Sequence, residues 1–212
     1  MAKNTSDIIL RDRMQFDLDG SGNRTTLYGR IDLSSYVNPV SRDGLAIKQV
    51  LFQLRDQSGG NPNTGSLSLV GDWESASGST GQNSVIKIYA TTRAYENASE
   101  VGIASPDVLC VMEVYSAVGA SDTGSSPSYI AEQTYYGPKD LHPEGFTVVS
   151  DLLIGVAADT WVTQQGDTLE IDIMLIAEPV KITEKRMNDS ITSPRPLNIQ
   201  LSLSRWLTYG KG

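Results

Sequence analysis

Apolar and polar residues alternate along most of the segment Ile199-Gln200-Leu201-Ser202-Leu203-Ser204-Arg205-Trp206-Leu207, and Leu169, Ile171, Ile173 and Leu175 repeat the same two-residue rhythm. Successive side chains on an extended strand point to opposite faces, so a period of two gives a strand one apolar and one polar face. No helical period of comparable length runs through the chain. The expectation is an all-β protein whose strands are each half buried. At 212 residues, with 39% hydrophobic residues, the chain is large enough for one sizeable β domain with its own core. Nineteen glycines and nine prolines fall mainly between the apolar runs, which suits many strands joined by turns.

Read along the chain, residues 7–18 predict a first strand or strand pair, and Asp19-Gly20-Ser21-Gly22-Asn23 a turn. Thr25 to Leu33 predicts the next strand, so that together they suggest a hairpin. Leu45 to Arg55 is a long strand with Val50, Phe52 and Leu54 on one side and Gln49, Gln53 and Arg55 on the other. A loop-rich stretch from Asp56 to Asn83 contains a short strand at Ser66–Val70. Further strands are expected at Ser84–Thr92, Val108–Ser116, Tyr129–Tyr136, Phe146–Ala158 and Thr168–Lys181, with a short helix around Ala94–Asn97 and a flexible loop at Gly119–Ser128. Asp151–Ala158 is short enough to read alternatively as a helical turn. An irregular arm, Ile182 to Pro196, precedes the last strand. Eight to ten strands at this spacing fit an antiparallel sandwich or barrel.

The net charge of −8 is unevenly spread: residues 181–212 carry +4, leaving −12 on residues 1–180. An acidic body repels nucleic acid and anionic membranes at long range. The dispersed basic residues near the end fit pairing with an acidic neighbouring subunit. Cys110 stands alone in Val108-Leu109-Cys110-Val111-Met112 and reads as a small core hydrophobe. Without a second cysteine the fold does not rely on an oxidising compartment. The first residues lack the apolar stretch of a signal peptide, and no run approaches membrane-spanning length, so the expectation is a soluble chain made in the cytosol.

Asp17, Asp19 and Ser21 place oxygen ligands at alternate positions, like the start of a calcium loop. The twelfth position, however, is Tyr28 where a bidentate Glu is needed, and a glycine-rich turn explains the same residues. Glu170 and Asp172 share a strand face, either as a carboxylate pair for acid–base chemistry or as the wet side of a half-buried strand. His142, the only histidine, lies in a turn; no Gly-x-Ser-x-Gly elbow accompanies it, and a multi-histidine metal centre is impossible. Tyr135 and Tyr136 are neighbours on a strand and therefore face opposite ways, which suits core or interface packing better than one stacking platform. No cofactor and no enzymatic activity are expected.

The leading strand Ile8–Leu18, the rhythm of eight to ten strands and the Pro-bearing arm Lys181–Pro196 before a last strand together resemble a single jelly-roll viral capsid protein. The resemblance implies one domain over residues 1–212, with about eight strands in two facing sheets, long loops, and copies associating through edges and arms. Residues 1–13 and 181–198 are then the arms, and Lys3, Arg11, Arg13, Lys181, Lys185, Arg186 and Arg195 are candidate intersubunit contacts. The implied location is the virion, after synthesis in the host cytoplasm, with other copies and other virion proteins as partners. One departure from that family is the absence of a basic arm: the first thirteen residues hold Lys3, Arg11 and Arg13 against Asp7 and Asp12. Direct genome binding is therefore expected to be weak or absent, and an acidic coat over an internal viral membrane, or an accessory virion protein, fits better. The alternative class is a carbohydrate-binding or adhesive β-sandwich of the phage fibre or baseplate type.

Overall fold

The structure, a computed structural model, describes residues 7–38, 40–56, 82–118, 129–143, 145–148, 150–161 and 165–182. These form an antiparallel β-sandwich. Its strands are β1 (Ile8–Asp17), β2 (Arg24–Ile31), β3 (Asp43–Asp56), β4 (Gln82–Thr91), β5 (Val108–Val118), β6 (Tyr129–Tyr136), β7 (Phe146–Val148), β8 (Leu152–Asp159) and β9 (Thr168–Lys181). One sheet has the order β1-β9-β3-β7, the other β2-β8-β4-β5-β6. The expected strand Ser66–Val70, the loop Gly119–Ser128, the arm from residue 183 onward and the last strand at Ile199–Leu207 lie outside the described residues, as do Lys3, Lys185, Arg186 and Arg195.

The pairing is nested. β1 lies against β9, β2 against β8, β3 against β7 and β4 against β5. This is a long antiparallel ribbon folded back on itself. Rolling the ribbon up brings β9 against β3 and β8 against β4, which divides it into two facing sheets. That winding is the jelly roll. β6 is appended to the rim of the five-stranded sheet by pairing with β5.

Period-two patterning explains why the layers meet. In β9, Leu169, Ile171, Ile173, Leu175 and Ala177 are all buried toward the other sheet. They meet Ile86 and Ile88 of β4, Met112 and Val114 of β5, and Leu152, Ile154 and Val156 of β8 in one continuous core. Removing that apolar area from water, at about 25 cal/mol per Å², is the main force holding the sheets together. In β3 the register slips between Ile47 and Gln49. This bulge lets Leu45 and Ile47 face the core ahead of it and Val50 behind it, although their spacing breaks strict alternation.

The outer face of the five-stranded sheet carries a second, smaller core. Tyr89 and Val111 pack there against Ala98, Val101 and Val108, with Tyr28 and Tyr95 partly buried beside them. The segment between β4 and β5 forms this cover, and includes a 3-10 turn at Ala98–Glu100. The ammonium of Lys87 anchors it by donating to the carbonyls of Val101 (2.9 Å) and Ala98 (3.3 Å).

Four expectations are corrected. β1 and β2 are not a hairpin, since each pairs in a different sheet; the turn between them carries the chain across the sandwich edge. Phe146–Ala158 is two strands, β7 and β8, one in each sheet. The helical turn expected near Ala94–Asn97 is displaced to Ala98–Glu100, where the Asn97 side chain accepts from the Ser99 N–H. Residues 8–13, expected within an arm, are the first part of β1 and pair along their whole length with β9. Among the described residues no helix is long and apolar enough to cross a membrane.

Candidate functional site

The outward side of the four-stranded sheet collects most of the charges singled out in the sequence. The β1–β9–β3 register sets Asp172 between Arg13 and Gln53, and Glu170 between Gln15 and Arg55. Arg13 Nε donates to Asp172 Oδ1 at 2.6 Å, and Arg55 reaches the other carboxylate oxygen at 3.3 Å. The Arg13 hydrogen bond, reinforced by Arg55, holds the Asp172 carboxyl below its ordinary range. Glu170 is only 1% exposed; it accepts from the Gln15 amide at 2.8 Å and lies 3.6 Å from Arg13. So Glu170 and Asp172 do share a face, but as members of an arginine-bridged network. A carboxyl kept ionised by two guanidiniums is a poor proton donor at neutral pH. Beside this network lies a groove whose lining includes Arg11, Leu51, Gln53 and Met174.

In the turn after β1, Asp19 Oδ1 accepts from the backbone N–H groups of Ser21 and Asn23, both at 2.8 Å. Those bonds lower its pKa. Asp17 Oδ1 accepts from the Thr168 hydroxyl at 2.6 Å. Gly22 has φ +73°, and its carbonyl accepts from Trp161 N–H at 2.9 Å. A Cβ at Gly22 would lie 2.3 Å from the Trp161 backbone, so the glycine is required for chain crossing as well as for the positive φ. Asp19 is thus committed to the turn's own hydrogen bonding, and Asp17 to Thr168 of β9. Among the described residues no group of three or more His, Cys, Asp or Glu side chains converges as a metal cage would.

His142 Nε2 lies 2.7 Å from the Val108 carbonyl, and the ring packs edge-on to Phe146 with centroids 4.6 Å apart. A carbonyl only accepts, so Nε2 carries the proton and the ring pins the α1 (Pro138–Leu141) corner to β5. Cys110 is fully buried, and burial pushes its thiol pKa up to about 12, which leaves it unreactive. Lys181 closes β9 by pairing with Asp43 at 2.5 Å.

β6 differs from every strand just described. Each residue from Ile130 to Tyr136 is exposed, on both faces, because this strand overhangs the four-stranded sheet. Tyr135 reaches across: its hydroxyl donates to the Val50 carbonyl of the opposite sheet. Tyr136 points to the other face, beside Ile103 and Leu141, where an open hollow of 540 Å³ is lined by these residues together with Tyr135 and Asp140. The sequence pointed to the tyrosines but not to the strand's position at the rim, which depends on which strand each one pairs with. A readable signal was present nonetheless, since Tyr129–Tyr136 contains one charge, no lysine and no proline.

No family model matches the sequence, and no curated protein matches it. Among solved structures, one titled Desmodium yellow mottle tymovirus aligns over 87% of this chain and 95% of that chain, with 10% sequence identity and a TM-score of 0.27. A likeness at that score and identity carries no argument about function.

Proposed function

We propose that this chain is a structural subunit of a virus particle, a jelly-roll brick that associates with copies of itself and with other virion proteins. The observation supporting this reading is the nested pairing of β1 with β9, β2 with β8, β3 with β7 and β4 with β5. Capsid and lectin domains both use that winding, and a fold alone does not select between them. What tilts the choice is the distribution of polar groups. Arg13 and Arg55 are spent on Asp172, whereas among the described residues no strand covers the outer edge of β6. A shell subunit needs a stiff body and self-complementary rims, and no reactive pocket. Arg11, Lys181 and the terminal segments remain the candidate contacts between copies. The acidic body makes any direct hold on the genome a minor one.

The second reading, a carbohydrate-binding module, draws on the hollow at Tyr135, Tyr136 and Asp140, since aromatic faces beside a carboxylate suit a sugar. Against it, one Asp140 oxygen already accepts from the Gly137 N–H at 2.7 Å. Negative-stain microscopy of the purified chain over a range of salt and protein concentrations separates the two. Closed shells or regular arrays are expected. A persistent monomer that binds on a glycan array would overturn the shell reading in favour of the second.

A further inference from the structure

We infer that β6 is a homotypic pairing strand, joining two copies of this chain edge to edge into one ten-stranded sheet about a two-fold axis. The inference rests on the self-assembly reading above and names the edge and register that would serve it.

β6 runs for eight residues without a register break, a length of about 27 Å. An unpaired edge of that length presents a row of free N–H and C=O groups, and proteins ordinarily blunt such edges with lysine, proline or a bulge. β6 has none of the three. Its side chains are exposed even where they are large and apolar: Ile130 is 53% exposed and Tyr136 40%. Among the described residues no strand lies beside its outer edge.

The occupant follows from the sequence of the strand itself. Antiparallel neighbours related by a two-fold must have that axis normal to the sheet, so each residue meets one that points to the same face. An axis through Gln133 pairs all residues from Ile130 to Tyr136. It sets Ile130 opposite Tyr136, Ala131 opposite Tyr135, Glu132 opposite Thr134 and Gln133 opposite its own copy. Every apolar residue then meets a tyrosine ring, and the single carboxylate meets a hydroxyl. Shifting the axis to Glu132 brings two carboxylates face to face, which opposes pairing. Shifting it to Ala131 or Thr134 shortens the paired stretch to five residues. The strand is therefore self-complementary in one register, and a second copy is the partner it fits.

Disulfide trapping reads that register directly. In the proposed pair the two Gln133 Cα atoms lie about 4.5–5.5 Å apart, within disulfide reach, whereas Glu132 and its own copy are diagonal neighbours at about 7–8 Å. Under mild oxidation Gln133→Cys is expected to form a covalent dimer, while Glu132→Cys and Thr134→Cys cross-link only when mixed with each other. The buried native Cys110 does not compete. Ile130→Lys, an exposed change that leaves the core intact, is expected to abolish dimer in sedimentation with an unchanged circular dichroism spectrum. Equal cross-linking at all three positions, or none at Gln133→Cys, overturns the inference. Shells seen by microscopy while Gln133→Cys stays uncross-linked would overturn β6 pairing and leave the shell reading standing. A trapped dimer that never forms shells would support the pairing and remove the shell.

Discussion

Gly155 of β8 sits between Tyr28 and Tyr89 in the register of the five-stranded sheet, and the two rings close over it with centroids 5.9 Å apart at 85°. The Tyr28 hydroxyl donates to the Tyr95 carbonyl at 3.1 Å and accepts from the Tyr95 N–H at 2.7 Å, so Tyr89 is the donor in the 2.7 Å bond between the phenols. A Cβ on residue 155 would lie 2.2 Å from Tyr89 Cζ. Gly155→Ala must therefore displace a fully buried ring, and is expected to cost about 1–3 kcal/mol, as overpacking does; the urea midpoint at constant m-value checks it. Acid stability is governed by other residues. Asp172 is lowered by Arg13 and then Arg55, and Asp43 by Lys181 and Ser41. An unfolded Asp takes up its proton near pH ~3.9, whereas these take theirs up at lower pH. The unfolded chain binds more protons in that window, so their contribution is present above it and is lost as pH falls through the folded values. Asp172→Asn is expected to flatten the acid limb of a urea-midpoint titration between about pH 6 and pH 2; an unchanged limb would count against the network. Period two shows that Glu170 and Asp172 share a face, but nothing local announces Arg13, which comes from the far end of the chain.

At the scale of strands, the sequence located most elements, since burial writes itself into alternation. β6 and β9 begin and end where the pattern does. Their partners were less legible. Asp19-Gly20-Ser21-Gly22 specifies a reversal of direction, but a turn does not say whether the chain returns to the same sheet or crosses to the facing one. The same ambiguity merged β7 and β8, both apolar on their inner sides. Nor does composition separate an arm from an edge strand: Ile8 to Arg13 is rich in charge, yet Ile8 and Leu10 pack against the core from β1. Deleting residues 1–13 therefore takes six of the ten residues of β1 and uncovers β9 from Asp172 to Ala177. The expected loss is about 2–5 kcal/mol, the scale of a core truncation, seen as a lowered thermal midpoint by circular dichroism. Deleting residues 1–6 leaves β1 whole and is the matching control. Equal midpoints for the two deletions would show that β1 adds nothing to the sheet.

For the whole molecule, the nested ribbon sets the order in which the fold can assemble. Thr91 and Val108 close the β4–β5 ladder, whereas Ile8 must find Ala177 to close β1 on β9. The second loop is roughly ten times longer, and closure entropy growing as (3/2)RT ln n makes it about 2 kcal/mol more costly if formed first. Each inner ladder shortens the effective loop for the next, so the ribbon closes from its tip outward, with β1 and β9 last. Pairings this distant along the chain place refolding in the slow range of milliseconds to seconds. Pulse-labelled hydrogen exchange during refolding is expected to protect β4 and β5 amides before those of β1 and β9. The interval also bears on assembly. β6 extends from the early ladder through β5, so in the proposed pairing its outer edge is available before the sandwich has closed, and higher protein concentration during refolding should favour edge-paired species. Simultaneous protection of all nine strands, with yields independent of concentration, would remove both parts of that argument.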